Sequence, residues 1–122
     1  MEYTAVLDHS NGICTITVTG YFQRPGDSDK LKLFAIDFNK KTGCYLFLVD
    51  LRQTKITGGI MSYYNAASPQ GDLSKELKKN KTAVLYKELT VNDKFFEDVA
   101  INRGFRLRGF DSLKKAVEWL LQ

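Results

Sequence analysis

The feature that most constrains this chain is the run from Cys44 to Val49, which carries no charge and ends at Asp50. A strand with one face in solvent alternates polar and apolar side chains, and this run does not alternate. The pattern therefore predicts a central strand over residues 44–50 that is covered on both faces. Because ligands of open α/β sheets bind beyond the carboxyl ends of such strands, we expect the functional site at Asp50 and in a loop over residues 51–59.

Size and composition indicate a small globular domain. The chain has 122 residues, which by length predicts one domain over residues 1–122. Apolar residues make up 43% of it and charged residues 26%, the balance of a folded protein. The net charge of +4 is spread along the chain and does not by itself indicate an anionic partner. The first residues do not resemble a signal peptide and no apolar run reaches bilayer length, so we expect no transmembrane segment and a cytoplasmic location.

Hydrophobic periodicity predicts the elements in the order β-β-α-β-α-β-α-β-α. A hairpin comes first, with Ile13–Thr19 as its second strand, and strands and helices alternate from there. This order predicts an α/β fold with a mixed, mostly parallel sheet. Cys14 and Cys44 both fall in predicted strands, and we interpret them as reduced thiols that behave as small buried apolar side chains.

Capping residues predict where several helices begin. Asp27 or Ser28 should cap the first helix, after a loop over residues 20–26, and Thr90 with Asp93 carries the capping signature of a later helix. The first helix should end at Gly43 and bury Leu31, Phe34, Ala35 and Phe38. The last helix should be capped by Asp111-Ser112 and bury Leu113, Ala116, Val117, Leu120 and Leu121.

Two apolar residues of the first helix, Leu33 and Ile36, fall on the side opposite its predicted core stripe. Single apolar side chains are common on protein surfaces, so they are consistent with ordinary exposed surface. The alternative is that they line a ligand groove or form a partner contact. The sequence leaves both interpretations open.

Missing motifs restrict the chemistry. With one histidine and two strand cysteines, the usual zinc ligands are too few, so we expect no metal. The chain has no dinucleotide-binding or phosphate-binding glycine motif and no nucleophile elbow. Asp50 has no acidic neighbour in the sequence with which to form an acid–base pair. We therefore predict no catalytic residues and no cofactor, and an enzyme centred on Asp50 is the weakest interpretation.

Three hydroxyl groups, those of Thr54, Thr57 and Ser62, surround Gly58-Gly59 at the predicted start of the second helix. Helix capping is the simplest interpretation. The alternative is that Thr57 or Ser62 is phosphorylated, because a helix N-terminus tolerates a dianion. Nucleic-acid binding is not expected, because no aromatic stacking platform accompanies the basic residues Arg103, Arg106 and Arg108.

Four short segments, taken with the order of elements, carry a family resemblance. They are Leu48–Arg52, the turn Asn102–Gly104, the segment Phe110–Leu113 and the ending Ala116–Leu120. The chain resembles, through these segments, the SpoIIAA-like proteins of the STAS fold, the group of anti-sigma-factor antagonists and their relatives. The resemblance covers essentially the whole chain. The resemblance implies a STAS-like α/β fold and a regulatory role.

The resemblance also bears on the predicted site. Phosphorylated antagonists of this fold carry a serine in an Asp-Ser-Ser-Gly type of sequence, whereas Lys55–Gly59 here has Thr57 before the glycine and lacks the aspartate. The chain is closer to a divergent branch that is similar to CRAL-TRIO lipid-binding domains, which implies an apolar ligand. A groove between the first and second helices would then be lined by Leu33, Ile36, Met61 and Tyr64.

Together these observations predict a non-enzymatic regulatory or binding module that holds a small apolar ligand or a protein partner near Asp50. The alternative is a phosphorylation-switched anti-sigma-factor antagonist that uses Thr57 or Ser62. A homodimer would suit the two apolar faces of the first helix equally well.

Overall fold

The computed structural model of the chain describes residues 1–58 and 71–122, and among these all side chains except those of residues 71 and 72. The strands are β1 (Glu2–Asp8), β2 (Ile13–Gln23), β3 (Leu46–Thr57), β4 (Lys81–Leu85) and β5 (Arg106–Phe110). The helices within this part are α1 (Gly26–Thr42), α2 (Gly71–Leu77), α3 (Val91–Asn102) and α4 (Leu113–Leu120).

The strands form one sheet in the order β1-β2-β3-β4-β5. β1 and β2 pair antiparallel as a hairpin, and each later neighbour pairs in parallel. The predicted α/β fold, with a hairpin followed by alternating strands and helices, is therefore confirmed. β5 is an edge strand whose arginines are exposed, which discourages pairing with another sheet.

β3 is the central strand and is buried on both faces. Phe47, Val49 and Leu51 belong to the core against α1, on the sheet face that we call the α1–α3 face. Leu46 and Leu48 belong to the core against α4, on the opposite face, the α4 face. The continuous apolar run correctly predicted this two-sided burial, because neither face of the strand meets water.

β3 is longer than the sequence predicted. We expected a strand over residues 44–50 and a loop over residues 51–59, whereas the strand is Leu46–Thr57. β2 likewise runs through the predicted loop over residues 20–26 as far as Gln23. The loop predictions were wrong because the two extensions pair with each other, so their polar side chains lie on a sheet rather than in a turn.

A β-bulge joins the predicted part of β3 to its extension. Val18 of β2 faces two residues of β3, Leu51 and Arg52, and regular pairing resumes beyond them. In the extension Phe22 pairs with Ile56, and Phe22 is only 2% exposed. Because polar and apolar residues do not alternate regularly in either extension, the sequence did not mark these segments as strands.

α1 begins earlier than predicted. Its first residue is Gly26 and its N-cap is Pro25, so the predicted caps, Asp27 and Ser28, lie inside the first turn. Asp27 instead accepts a hydrogen bond from the backbone N–H of Gln23 through Oδ2, at 2.8 Å. The capping prediction was wrong because β2 ends nearer to the helix than the sequence indicated.

Other boundary predictions are confirmed. Gly43 follows α1 with φ 76°, the left-handed conformation that glycine adopts without strain. Thr90 and Asp93 form a reciprocal capping box at the start of α3. Ser112 caps α4.

α4 buries a narrower stripe than predicted. Ala116 and Leu120 are buried, and Val117 packs against their cluster. Leu113 and Leu121, which we also expected in the core, are 45% and 51% exposed. The helix has only eight residues and packs mainly on β4, so its two ends extend beyond the apolar surface beneath it.

The strand extension is tested by Phe22→Ala. Removing a side chain from the core should lower the free energy of unfolding by about 3–5 kcal/mol. Tyr21→Ala is the control, because Tyr21 is its neighbour on the strand and is 66% exposed. Urea denaturation of both variants measures the difference, and small, equal effects would contradict the extension of β2.

Candidate functional site

A cavity of about 110 Å³ lies between α1, α3 and the sheet face that they cover. Apolar side chains from four strands, β2 to β5, and from both helices dominate its lining, among them Ile16, Phe22, Ala35, Phe47, Val84 and Ala100. Protein cores are normally packed with few voids larger than a water molecule, so a cavity of this size is a candidate binding site.

Arg24 places a permanent positive charge at the cavity. It follows β2, is only 3% exposed and lines the cavity. Its Nη1 donates to Ser28 Oγ at 3.1 Å and its Nη2 to Tyr86 Oη at 3.2 Å. The guanidinium also lies 3.9 Å from the centroid of the Phe96 ring, which is cation–π geometry. These contacts fix the position of the charge.

Lys32 of α1 is a second cation in the cavity lining, and its charge is largely buried. Its side chain is 15% exposed, and Nζ lies 3.6 Å from Oδ1 of Asp29. Burial lowers the pKa of Lys32 to about 8; the charge of Asp29 opposes this effect and that of Arg24 reinforces it. Lys32 is therefore still mostly protonated at neutral pH, although its surroundings disfavour the charge.

Asn80 contributes a buried amide to the lining. It directly precedes β4 and is 3% exposed, yet neither its Oδ1 nor its Nδ2 has a hydrogen-bond partner among the described residues. β4 begins directly after Asn80 and ends directly before Tyr86, which bonds Arg24, so Asn80 and Arg24 lie toward opposite ends of this strand. Buried amides without partners are rare, and Asn80 therefore presents a donor and an acceptor at the cavity.

Asp50, the predicted centre of the site, does not line the cavity. It lies within β3 rather than at its end, it is 7% exposed, and it belongs to the α4 face. Its carboxylate accepts hydrogen bonds from Arg52 Nε at 3.0 Å and Nη2 at 2.9 Å. Burial alone would raise the pKa of Asp50, but the hydrogen bonds from Arg52 hold the pKa below its ordinary value. Asp50 is thus an ion-paired carboxylate, and the prediction of a strand-end position was wrong.

The other predicted ligand-binding residues lie elsewhere. Leu33 is 59% exposed and Ile36 is half-buried, and neither lines the cavity. Met61 and Tyr64 fall outside the described residues. The groove between the first and second helices therefore stays a prediction.

The predicted phosphorylation sites also stay predictions. Thr57 is the last residue of β3, where its carbonyl accepts a hydrogen bond from the backbone N–H of Arg24 at 3.1 Å. Ser62 lies outside the described residues.

Neither cysteine is activated. Cys14 and Cys44 are free and buried. Burial raises the pKa of the Cys14 thiol to about 11 and also raises the pKa of Cys44, so both remain protonated at neutral pH.

In residues 1–58 and 71–122, no three His, Cys, Asp or Glu side chains come together as a metal site. In the same ranges no helix has the length and apolar character to cross a bilayer.

None of the polar lining residues Arg24, Lys32 and Asn80 was predicted from the sequence. A signal for Lys32 exists, because its spacing from Ser28, Leu31 and Ala35 places all four on one face of α1. Arg24 fell in a predicted loop, where nothing distinguishes a buried arginine from an exposed one.

Comparison with known proteins bears on the fold. No protein-family model and no curated protein matches this chain. Among solved structures, it is similar to an uncharacterised protein of the DUF3478 family from Shewanella loihica PV-4, which is described as having a SpoIIAA-like fold. The TM-score is 0.56 at 9% sequence identity, and the match covers 98% of this chain and 92% of the other. This chain has a SpoIIAA-like fold.

The SpoIIAA-like resemblance carried by the four sequence segments is thus confirmed for the fold. The similarity to CRAL-TRIO lipid-binding domains, which the same resemblance implied, gains no support from these comparisons. At 9% identity the neighbour indicates architecture and no ligand or partner.

Asp50→Asn tests the structural role of the ion pair. At pH 7 the variant should lose about 1–2 kcal/mol of unfolding free energy, because Arg52 is then left without its counter-charge at a partly buried site. Since the folded-state pKa of Asp50 lies below 3.8, the difference from wild type is present above that pH and disappears as the pH falls through the lower value. Asp37→Asn is the exposed control, and identical pH profiles for both variants would contradict the role.

Lys32→Met tests the cost of the buried ammonium. The variant should be more stable at pH 7 by about 1–3 kcal/mol, because it removes a charge whose pKa burial has lowered. Between pH 8 and 10.5 wild-type stability should rise, since the unfolded chain there binds more protons than the folded one, and the variant should lack this rise. Urea denaturation against pH measures both effects, with Lys30→Met as the exposed control. A Lys32→Met variant less stable than wild type would contradict this account.

Proposed function

We propose that this protein is a non-enzymatic binding module that holds a small apolar ligand in the cavity between α1 and α3. The cavity itself is the observation that carries the proposal. Its apolar lining would remove a ligand's hydrocarbon surface from water, which stabilises a complex without any covalent chemistry.

The size of the cavity limits the ligand. A cavity of about 150 Å³ in another protein admits benzene, so a volume of about 110 Å³ suits a ligand of roughly five or six carbon atoms. A longer molecule would have to extend beyond the enclosed part. The proposal is therefore for a short chain or a small ring.

The buried amide of Asn80 is a second, independent support. An amide left without partners at a buried position destabilises the fold by about 1–3 kcal/mol. A polar group of a ligand, or a water molecule that accompanies it, would satisfy the Asn80 oxygen or nitrogen. Asn80 thus offers both a donor and an acceptor to an occupant of the cavity.

The lining favours binding over acid–base catalysis. Its described residues include no carboxylate and no imidazole, the groups that most often exchange protons with a substrate. A regulatory role, in which the ligand alters contact with a protein partner, is compatible with this proposal. The phosphorylation-switched antagonist stays the alternative, and no contact of Thr57 favours it.

The proposal predicts that filling the cavity abolishes binding. In wild-type protein, 1-pentanol should shift the NMR signals of cavity residues with a dissociation constant on the order of 1 mM, the range for so small a ligand. Ala35→Leu and Ala100→Leu, on different helices, should each remove the saturable shifts, because the added carbons occupy the cavity.

Two controls sharpen this experiment. Ala5→Leu adds the same atoms at an exposed position of β1 and should leave binding unchanged. Leu33→Asp distinguishes the two candidate binding sites, because it should abolish binding only if the ligand lies in the predicted groove on the outer side of α1. Saturable binding that survives both cavity-filling variants would overturn the proposal.

Native mass spectrometry of the purified protein would in addition show a retained ligand by its mass.

A further inference from the structure

The buried side chain of Asn80 narrows the class of ligand. Asn80 is 3% exposed and lines the cavity, and neither Oδ1 nor Nδ2 of its amide has a hydrogen-bond partner among the described residues. The charged lining residues Arg24, Lys32 and Arg106 differ in this respect, because each has a described polar contact. Asn80 therefore presents a donor and an acceptor to any molecule that occupies the cavity.

Backbone hydrogen bonds hold Asn80 at this position. Its own N–H donates to the carbonyl of Leu77 at 3.0 Å. The next N–H along the chain, that of Lys81, donates to the carbonyl of Tyr45 at 2.7 Å. Moving the amide out of the cavity would disturb these bonds, so its place in the lining is fixed by the sheet and by α2.

The usual structural reasons for an asparagine do not apply to Asn80. Asparagine is common where the backbone adopts the left-handed conformation, but among the described residues only glycines have a positive φ. It is also common where its amide bonds a nearby backbone group, and the Asn80 amide makes no such bond within the described part of the chain. An apolar side chain of the same size would leave no polar atom without a partner. The amide is therefore better explained by an occupant of the cavity than by the fold.

We infer that the ligand of this cavity is a small amide whose N–H and C=O lie on the same side, a primary carboxamide or a lactam, paired with the side chain of Asn80. This inference rests on the proposed function and adds the ligand's polar group to it. In the pair, Nδ2 donates to the carbonyl oxygen of the ligand and Oδ1 accepts from its N–H. Asparagine forms such a pair with the adjacent donor and acceptor of adenine, although a purine itself is too large for a cavity of about 110 Å³.

Other small polar groups match Asn80 less well. A carboxylate or a ketone only accepts hydrogen bonds, so it would leave Oδ1 without a donor. A hydroxyl or a water molecule has a single oxygen, which cannot lie in line with both the donor and the acceptor of the Asn80 amide. An amide carries one donor and one acceptor at the same spacing as Asn80 itself, so it satisfies both atoms at once.

The hydrocarbon part of the ligand then extends from Asn80 along β4. Thr82 and Val84 follow Asn80 at intervals of two residues, so they face the same side of the sheet, and both line the cavity. They pair with Phe47 and Val49 of β3, which also line it. The lining thus becomes apolar beyond Thr82, which suits a ligand with a polar head and a short hydrocarbon tail.

The test compares pentanamide with 2-hexanone by NMR titration at pH 7. The two probes have the same shape and differ in one group, because the ketone has CH3 where the amide has NH2. Asn80→Leu should lower the affinity for pentanamide relative to that for 2-hexanone by about tenfold, since the ligand's N–H is then buried without an acceptor. Asn102→Leu makes the same substitution at an exposed residue of α3 and should leave this ratio unchanged.

A second pair of probes covers the ring form of the ligand. The lactam 2-piperidinone holds its N–H and C=O on the same side, and cyclohexanone has CH2 in place of the N–H. The amide-to-ketone affinity ratio should fall in Asn80→Leu for at least one of the two pairs. The pair with the larger fall identifies the ligand as an open chain or a ring.

The Asn80 side chain also gives a direct readout in the wild-type protein, which does not depend on the folding of a variant. Its NH2 group has its own NMR signals, and the amide probe should shift them with the same dissociation constant as it shifts the apolar cavity residues. Nuclear Overhauser contacts between these protons and the N–H of the probe would show the two amides side by side. The NH2 signals of Asn102 should not move.

The possible outcomes separate this inference from the proposed function. If the ketones bind and Ala100→Leu removes that binding, but Asn80→Leu changes neither affinity ratio, the cavity binds apolar ligands and the amide inference is wrong. The inference is equally wrong if an amide probe binds in the cavity without shifting the NH2 signals of Asn80. If no probe gives saturable shifts that Ala100→Leu removes, the inference and the proposed function both fail.

Discussion

The long parallel pairing between β2 and β3 is the interaction on which the rest of the structure depends. It holds β3 in the middle of the sheet, where α1 and α4 cover its two faces, and it continues beyond the β-bulge to Gln23 and Thr57. Because β2 continues so far, Arg24 is delivered to the carboxyl end of the sheet, where its backbone N–H bonds the carbonyl of Thr57. α1 then starts within two residues and returns across the sheet, which brings Lys32 over the same cavity. The strand pairing thus positions both cations.

Two charges in an apolar region oppose the stability of the fold. A core made for stability alone would replace Lys32 by an apolar side chain and close the space beside Ala35 and Ala100. Sites that bind or react commonly retain such unfavourable groups, since function requires them and the remaining core compensates. Here the compensation comes from the two-sided burial of β3 and from the aromatic and hydroxyl contacts that hold Arg24.

The sequence predicted the architecture well because its strongest pattern, the uncharged run ending at Val49, reflects burial on both faces. It failed where tertiary pairing overrides local polarity, as in the extension of β3 through residues 52–57. The site was less predictable. Lys32 shares a helical face with Leu31, a pattern visible in the sequence, but Arg24 and Asn80 become site residues only through the packing of distant elements. No local periodicity encodes that packing.

The β-bulge has a consequence for how this chain is compared with others of its fold. Before it, odd-numbered residues of β3 such as Val49 face α1 and α3, and beyond it the even-numbered Ile56 does so. If the same residues of β3 paired regularly, with no bulge at Leu51-Arg52, Lys55 would face the core in place of Ile56. A relative with a regular strand here therefore aligns correctly only if a one-residue gap is placed at the bulge. Without that gap, each later position of the strand is matched to a side chain on the other face of the sheet.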